Sequence, residues 1–150
     1  LFMNNIGLLT DALIASIPAK QLEEVESFIA VEARGFVLAS LLAQRTGKGL
    51  ILVRKAGKLP PPVVGVGYSL EYGLDRLEMS AEIESQKVII VDDVLATGGT
   101  LKAVKQLAEK CNHNVLGASI FLDLPDLHAS LGMDIWTVLD DKSKPESVAA

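Results

Sequence analysis

The sequence predicts an α/β fold, a single domain built on a twisted, mostly parallel sheet flanked by helices. Short, largely apolar runs such as SFIAV at 27–31 and KVIIV at 87–91 alternate along the chain with amphipathic segments of helical period. Apolar runs of this kind are typical of strands in parallel sheets, which are buried on both faces. The 150 residues suit one domain, residues 1–150, and contain neither an internal repeat nor a linker.

Each element has a local signal. Apolar residues recur every three or four positions over Ile6–Ile17, and Pro18 then ends the predicted helix. Three prolines at 60–62 exclude a helix and lack the N–H donors of a β-ladder, which predicts a loop followed by two flexible strands that turn at Gly73. The predicted elements, in order, are helix 6–17, strand 27–31, helix 35–46, strand 50–53, strands 66–70 and 76–79, strand 87–91, helix 100–110, strand 115–122 and strand 135–139.

Composition and charge exclude several classes of protein. The net charge of −5 argues against a nucleic-acid-binding module, which usually carries a basic surface. The chain has no apolar run of bilayer-spanning length, and its first residues lack the features of a signal peptide. The single cysteine, Cys111, forms no internal disulfide, so nothing requires an oxidising compartment. We therefore expect a cytoplasmic protein without a nucleic-acid or membrane partner.

The segment V-I-I-V-D-D-V-L-A-T-G-G-T at 88–100 carries the strongest chemical signal. Asp92 and Asp93 follow a buried strand, where ligands of parallel sheets bind, and as carboxylates they accept hydrogen bonds from hydroxyl groups. The Thr-Gly-Gly-Thr loop (Thr97–Thr100) leads into a helix, whose first N–H groups and dipole favour an anion. An anion cradle beside two hydroxyl acceptors predicts a ribose 5-phosphate site. Taken separately, Asp-Asp and Gly-Gly fit a structural role, as a helix cap and an ordinary turn, as well as they fit a ribose 5-phosphate site.

Basic residues follow the two preceding strands. Arg34 comes after the strand at 27–31, and Arg54, Lys55 and Lys58 come after the strand at 50–53. At the ligand-binding edge of the sheet they would face a diphosphate, which arginine can bind bidentately. By composition alone a solvated charge run is the simpler interpretation of the last three. His113 and His128 lack partners at metal-ligand spacing and are expected at the surface.

Four segments together resemble the adenine phosphoribosyltransferase family of the type I phosphoribosyltransferases. The string at 88–100 is similar to that family's motif for phosphoribosyl diphosphate (PRPP). Val31–Phe36 (VEARGF) resembles its diphosphate-binding loop, and Val53–Pro60 (VRKAGKLP) resembles the basic segment after the next strand. Tyr68–Gly73 (YSLEYG) is similar to its mobile catalytic loop. The four occur in the family's order.

The resemblance implies a purine-salvage reaction in which adenine and PRPP give AMP and diphosphate. It makes Glu71 and Arg34 the catalytic residues, with Glu71 handling the proton at the base and Arg34 acting on the diphosphate, while Tyr72 helps to close the loop. Mg²⁺ is the implied cofactor, held mainly by PRPP and water, with no protein metal site, and a homodimer is the implied assembly. The residues implied in binding PRPP or AMP are Asp92, Asp93, Ala96, Thr97, Gly98, Gly99, Thr100, Arg34, Arg54, Lys55, Lys58 and Tyr72.

Two departures from the family leave alternatives open. The family has an N-terminal hood over the base, and we expect it to be missing from this sequence, which begins near the first helix. Pro60-Pro61-Pro62 stands where the family commonly has Leu-Pro-Gly. The alternatives are a phosphoribosyltransferase for another purine base and a non-catalytic, PRPP-binding regulatory protein.

Overall fold

The computed structural model describes residues 4–70 and 73–141, and of Leu70 only the backbone. The α/β class is confirmed. The seven strands of the described chain form one sheet, and its α-helices pack on both faces of that sheet. The helices are α1 (Ile6–Ser16), α2 (Ala19–Glu24), α3 (Arg34–Thr46) and α4 (Gly99–Lys110). The strands are β1 (Ser27–Val31), β2 (Gly49–Lys55), β3 (Val63–Leu70), β4 (Gly73–Ser80), β5 (Lys87–Leu95), β6 (Asn114–Asp123) and β7 (Ile135–Asp140).

The sheet has the strand order β3-β4-β2-β1-β5-β6-β7. The five strands β2, β1, β5, β6 and β7 are parallel to one another, whereas β3 and β4 form an antiparallel hairpin in which β4 pairs antiparallel with β2. Strand β1 therefore lies in the middle, and the ends of β1, β2 and β5 meet at one edge. Two short elements were not predicted: α2 and a 3-10 helix at Pro125–Leu127.

Strand β1 divides the hydrophobic core into two layers. All five of its residues are buried. Phe28 and Ala30 face the layer under α1 and α3, and Ile29 and Val31 face the layer under α4. This two-sided burial explains why the strand is apolar on both faces.

Local signals set the ends of the outer helices. The Asn5 side chain accepts a hydrogen bond from the Leu8 N–H at 3.0 Å and caps α1. Gly47 ends α3 with a φ of 70°, the left-handed conformation that glycine adopts without strain. Within the two described ranges, every helix is too short or too polar to cross a bilayer.

Candidate active site

Asp92 and Asp93 lie inside β5 and not after it. The prediction ended this strand at Val91, but pairing with β6 continues as far as Leu95. Asp92 Oδ1 accepts a hydrogen bond from the Asp93 N–H, and Asp93 Oδ1 accepts one from the Val94 N–H, each at 2.8 Å. The two carboxylates thus stand at a fixed position on the central part of the sheet.

The Asp92 carboxyl has an unusual proton affinity. Burial is the main cause that raises its pKa to about 7. The hydrogen bond from the Asp93 backbone opposes this rise, the Asp93 carboxylate adds to it, and the positive charge of Arg34 lowers the pKa. Asp92 therefore changes its protonation near neutral pH, and only its ionised form is purely an acceptor for hydroxyl groups.

Arg34 is held against these carboxylates. It is the first residue of α3, and its Nε lies 2.5 Å from Asp93 Oδ2. The next residue, Gly35, has no room for a side chain: a Cβ there would lie 2.7 Å from the Val91 carbonyl oxygen. Glycine thus lets the start of α3 approach β5, which brings Arg34 to Asp93. The Arg34 side chain is otherwise 81% exposed and accessible to a ligand.

The Thr-Gly-Gly-Thr loop forms a small anion-sized cavity. Its volume is ≈ 120 Å³, and Asp92 and the five residues from Ala96 to Thr100 line it. Gly98 has a φ of +91°, and α4 begins at Gly99. The first backbone bond of this turn runs from the Lys102 N–H to the Gly98 carbonyl, so the N–H groups before Lys102 precede the helical ladder. The positive end of α4 is thus directed at the cavity.

Leu131 supports this loop and was not predicted as part of the site. It is 9% exposed, and a Cβ on Gly98 would lie 2.8 Å from its Cδ2 atom. Leu131 is far from the loop in sequence and belongs to an irregular segment after β6. Its apolar side chain carries no chemical signal that a sequence motif could have revealed.

Glu32 joins the predicted diphosphate loop to the basic segment. Arg54 and Lys55 are the last residues of β2, although the prediction placed them after it. Glu32 Oε1 accepts hydrogen bonds from Arg54 Nε at 3.2 Å and from the Lys55 N–H at 3.1 Å, and the Arg54 guanidinium lies 5.7 Å from the centre of the Phe36 ring. The Lys55 N–H is the main cause that lowers the pKa of Glu32, and Arg54 and the exposed Lys58 also lower it. Glu32 was missed because an acidic residue in a predicted anion site has no evident role until its partners are known.

The β3–β4 hairpin completes the neighbourhood of Lys55. Lys55 Nζ lies 3.4 Å from Asp75 Oδ2 on β4. On β3, burial is the main cause that raises the pKa of Tyr68; Asp75 adds to this rise, and Lys55 opposes it. Glu71 and Tyr72, predicted for proton transfer and loop closure, lie outside the described residues. The roles of both remain predictions.

The surface placement expected for the two histidines was wrong. His113 is 4% exposed, and its Nδ1 accepts a hydrogen bond from the Gln86 N–H at 3.2 Å. The His128 side chain is 10% exposed, with Nε2 2.8 Å from Asp123 Oδ1. His113 contacts Gln86, which is distant in sequence, whereas His128 follows the 3-10 helix and pairs with Asp123 only five residues earlier.

The sheet carries two carboxylates on β5, a Thr-Gly-Gly-Thr loop suited to an anion, and basic residues at the end of β2. Together these features define a phosphoribosyltransferase domain. Residues 5–149 match the profile of the phosphoribosyl transferase domain family. The chain belongs to the phosphoribosyltransferase family, and adenine phosphoribosyltransferases are among its relatives there.

Two curated relatives and one solved structure illustrate the similarity. The chain is 46% identical to adenine phosphoribosyltransferase of Mycolicibacterium smegmatis over 133 residues, which cover 84% of this chain and 74% of the relative. It is 42% identical to that of Nitrosopumilus maritimus over 113 residues, which cover 74% of this chain and 66% of the relative. The chain thus spans about two thirds of the length of these relatives. The Saccharomyces cerevisiae structure superposes with a TM-score of 0.83 at 33% identity and covers 92% of this chain and 83% of its own.

Proposed function

We propose that this protein transfers the 5-phosphoribosyl group from PRPP to adenine, forming AMP and diphosphate in purine salvage. The observation that carries the proposal is the arrangement of two anion-binding regions on either side of one carboxylate pair. The Thr-Gly-Gly-Thr loop borders Asp92, and Arg34 pairs with Asp93 from the other side. PRPP presents the matching groups: a 5-phosphate, ribose hydroxyls and a diphosphate.

The proposed roles follow from the charges that the reaction develops. The bond from the anomeric carbon to diphosphate breaks as a ring nitrogen of adenine attacks, and the ribose gains oxocarbenium character. Asp92 and Asp93 accept hydrogen bonds from the ribose hydroxyls, and their negative charge stabilises the cationic ring. Arg34, Lys55 and Lys58 stabilise the departing diphosphate. The residues from Ala96 to Thr100 bind the 5-phosphate, and that remote binding energy orients the reacting carbon.

Mg²⁺ is the proposed cofactor, and the donor set suits an ion that arrives with its substrate. Within residues 4–70 and 73–141, no three side chains of His, Cys, Asp or Glu form a metal-binding cluster. Mg²⁺ commonly keeps several waters and binds substrate phosphates, so PRPP and water would hold most of its coordination positions. When bound, the ion would neutralise part of the negative charge on the diphosphate.

Adenine is the proposed base because the relatives compared above are named adenine phosphoribosyltransferases. The S. cerevisiae relative was solved in complex with adenine and an imino-altritol bisphosphate. In this chain we assign proton handling at the base to Glu71, loop closure to Tyr72, and a place beside the base to Arg54. Closure of the loop would exclude water from PRPP.

We also propose a cytoplasmic homodimer. Leu50 and Leu52 pair in register with Phe28 and Ala30, so they lie on the sheet face that α3 covers, yet both leucines remain partly exposed. Val37 on α3 is 48% exposed and adds to this apolar surface. A second copy of the chain would bury it. Leu52→Glu should shift the protein toward a monomer in sedimentation analysis, and an unchanged dimer would contradict this interface.

The decisive experiment measures diphosphate release from PRPP and Mg²⁺ with adenine, hypoxanthine, guanine or xanthine. We expect release with adenine. Faster diphosphate release with another base would make that base, and not adenine, the substrate. Tight PRPP binding without release with any base would favour a regulatory protein. Glu71→Gln provides the matched test: turnover should fall while PRPP binding is retained, whereas an unchanged turnover would remove Glu71 from the mechanism.

A further inference from the structure

We propose that Asp123 and His128 are positioning residues that hold the chain after β6 against the phosphate-binding loop. This β6–β7 segment, residues 124–134, connects the end of β6 to the start of β7. His128 pairs with Asp123 near the beginning of the segment, and Leu131 packs against Gly98 of the Thr-Gly-Gly-Thr loop. The inference rests on the proposed function, because it concerns the site for the 5-phosphate of PRPP.

Asp123 is held firmly on the sheet beside that loop. It is the last residue of β6 and lies in register with Leu95 on β5 and Asp140 on β7. The Leu124 N–H donates a hydrogen bond to the Leu95 carbonyl at 2.9 Å, and the Asp123 carbonyl accepts one from the Asp141 N–H at 3.0 Å. Leu95 lines the anion cavity, so Asp123 lies directly beside the cavity wall.

The His128 ring lies between two oxygen atoms, those of an ionised carboxylate and a carbonyl, which only accept hydrogen bonds. Its Nε2 is 2.8 Å from Asp123 Oδ1, and its Nδ1 is 2.8 Å from the Ala129 carbonyl oxygen. A neutral imidazole donates from one nitrogen only, whereas the imidazolium donates from both. The charged ring therefore satisfies both oxygens. The hydrogen bonds to Ala129 and Asp123 raise the pKa of His128, although burial opposes the rise.

The charges of the surrounding elements also have the sign that favours the imidazolium. Strand β6, the β6–β7 segment and the described part of β7 contain no lysine or arginine. Besides Asp123, their ionisable groups with a negative charge are Asp126, Asp134, Asp140 and the adjoining Asp141. As the pH rises through the raised pKa, the ring loses its charge and one of its two hydrogen bonds.

Leu131 carries this attachment to the phosphate-binding loop. Its two methyl groups stand over Gly98, where a Cβ would lie 2.8 Å and 3.3 Å from them. Three residues of chain span at most about 11 Å, so a fixed His128 restricts the positions that Leu131 can take. On its other side, Met133 packs against the core layer under α4. The segment is thus held on both sides of Leu131, which supports the turn at Gly98 that directs N–H groups at the phosphate.

The test compares His128→Gln and Asp123→Asn with two matched controls. His113→Gln removes the other buried histidine, which lies before the opposite end of β6. Asp11→Asn removes a carboxylate that pairs with Arg45 between α1 and α3. His128→Lys is the rescue variant, because an ammonium has three donors and keeps its charge up to about pH 10. Dissociation constants for AMP, PRPP with Mg²⁺ and diphosphate with Mg²⁺ are measured by calorimetry, alongside turnover and the melting temperature.

We expect His128→Gln and Asp123→Asn to weaken AMP and PRPP binding about fivefold at pH 7, the factor that one ordinary hydrogen bond gives. AMP and PRPP carry the 5-phosphate, whereas diphosphate occupies the other end of the proposed site. Affinity for diphosphate should therefore stay within about twofold of wild type, as should every affinity of the two controls. A purely structural role would instead lower the melting temperature and leave AMP affinity unchanged, which would overturn the proposal.

The pH profile of AMP binding provides a second readout. Between about pH 6.5 and about pH 9 the affinity of the wild type should approach that of His128→Gln and fall below that of His128→Lys, because only lysine keeps its charge. Asp92 and the phosphate group titrate as well, but they are common to all three proteins and cancel in the ratios of their affinities. Ratios that stay constant with pH would overturn the role of the charged ring.

The outcomes separate this inference from the proposed function. If the wild type turns over adenine and both variants bind AMP as well as the controls do, the positioning role is wrong. If the wild type binds AMP and PRPP without turnover, and the variants bind both more weakly, the positioning role stands and the transferase function fails. If the wild type binds neither ligand, both are overturned.

Discussion

Replacing Asp92 by asparagine should make the protein more stable at pH 8 while it weakens PRPP binding. Burial and the neighbouring Asp93 raise the pKa of Asp92 to about 7 in the folded protein. An aspartate in the unfolded chain has a pKa of about 3.9. The folded protein therefore holds this proton more tightly, so Asp92 lowers the free energy of unfolding as the pH rises from about 4 to about 7.

The magnitude follows from the difference between the two pKa values. About three units at about 1.4 kcal/mol each correspond to about 4 kcal/mol, fully expressed above pH 7. Solvent reaches part of the carboxylate, and an asparagine must also be buried, so we expect a gain of about 2 kcal/mol at pH 8. The asparagine oxygen can still accept the 2.8 Å hydrogen bond from the Asp93 N–H. At pH 5 only about one third of the difference should remain.

The assay is urea denaturation of the wild type and of Asp92→Asn at pH 5, 6.5 and 8, followed by circular dichroism. Asp126→Asn serves as the control, because Asp126 is an exposed residue of the 3-10 helix. The gap in unfolding free energy should widen with pH for Asp92→Asn and stay flat for the control. PRPP binding, measured by calorimetry, should fall at least tenfold in Asp92→Asn. A variant that is less stable than wild type at pH 8, or a gap that does not change with pH, would refute the reasoning.

Three further predictions concern Glu32, Gly98 and His113. Glu32→Gln should lower kcat/KM for PRPP about tenfold in steady-state assays, because its charge orients Arg54; an unchanged value would leave Glu32 a purely structural role. Gly98→Ala should cost about 1–3 kcal/mol in thermal denaturation, from its φ of +91° and the Leu131 contact, and Leu131→Ala should recover only the steric part. Burial lowers the pKa of His113. Its stabilising contribution is therefore present above about pH 6.5 and is lost as the pH falls below that value. His113→Gln should reduce this loss in a plot of unfolding free energy against pH, and an unchanged acid side of the plot would contradict a role for the histidine.

Local sequence patterns predict most of the fold and the closeness of the main candidate site residues. Strand β1 occupies the predicted residues Ser27–Val31, because a segment apolar on both faces is most stable inside a two-sided sheet. Asp92 and Arg34 each follow an apolar run and were predicted at one edge, since the ends of parallel strands meet there. Arg34 does lie against the carboxylate pair, because local pattern and overall topology agree at these residues.

The contacts between these groups depend on packing between segments that are distant in sequence. Pairing with β6 carries β5 through Asp93 to Leu95, and no local signal in the sequence marks that extension. The antiparallel placement of β4 beside β2 brings Asp75 to Lys55, although neither residue belongs to a motif that predicts the other. Such contacts depend on backbone segments that are distant in sequence and meet only when the core has packed. The sequence therefore determined which chemical groups reach the site, and packing decided their partners and their proton affinities.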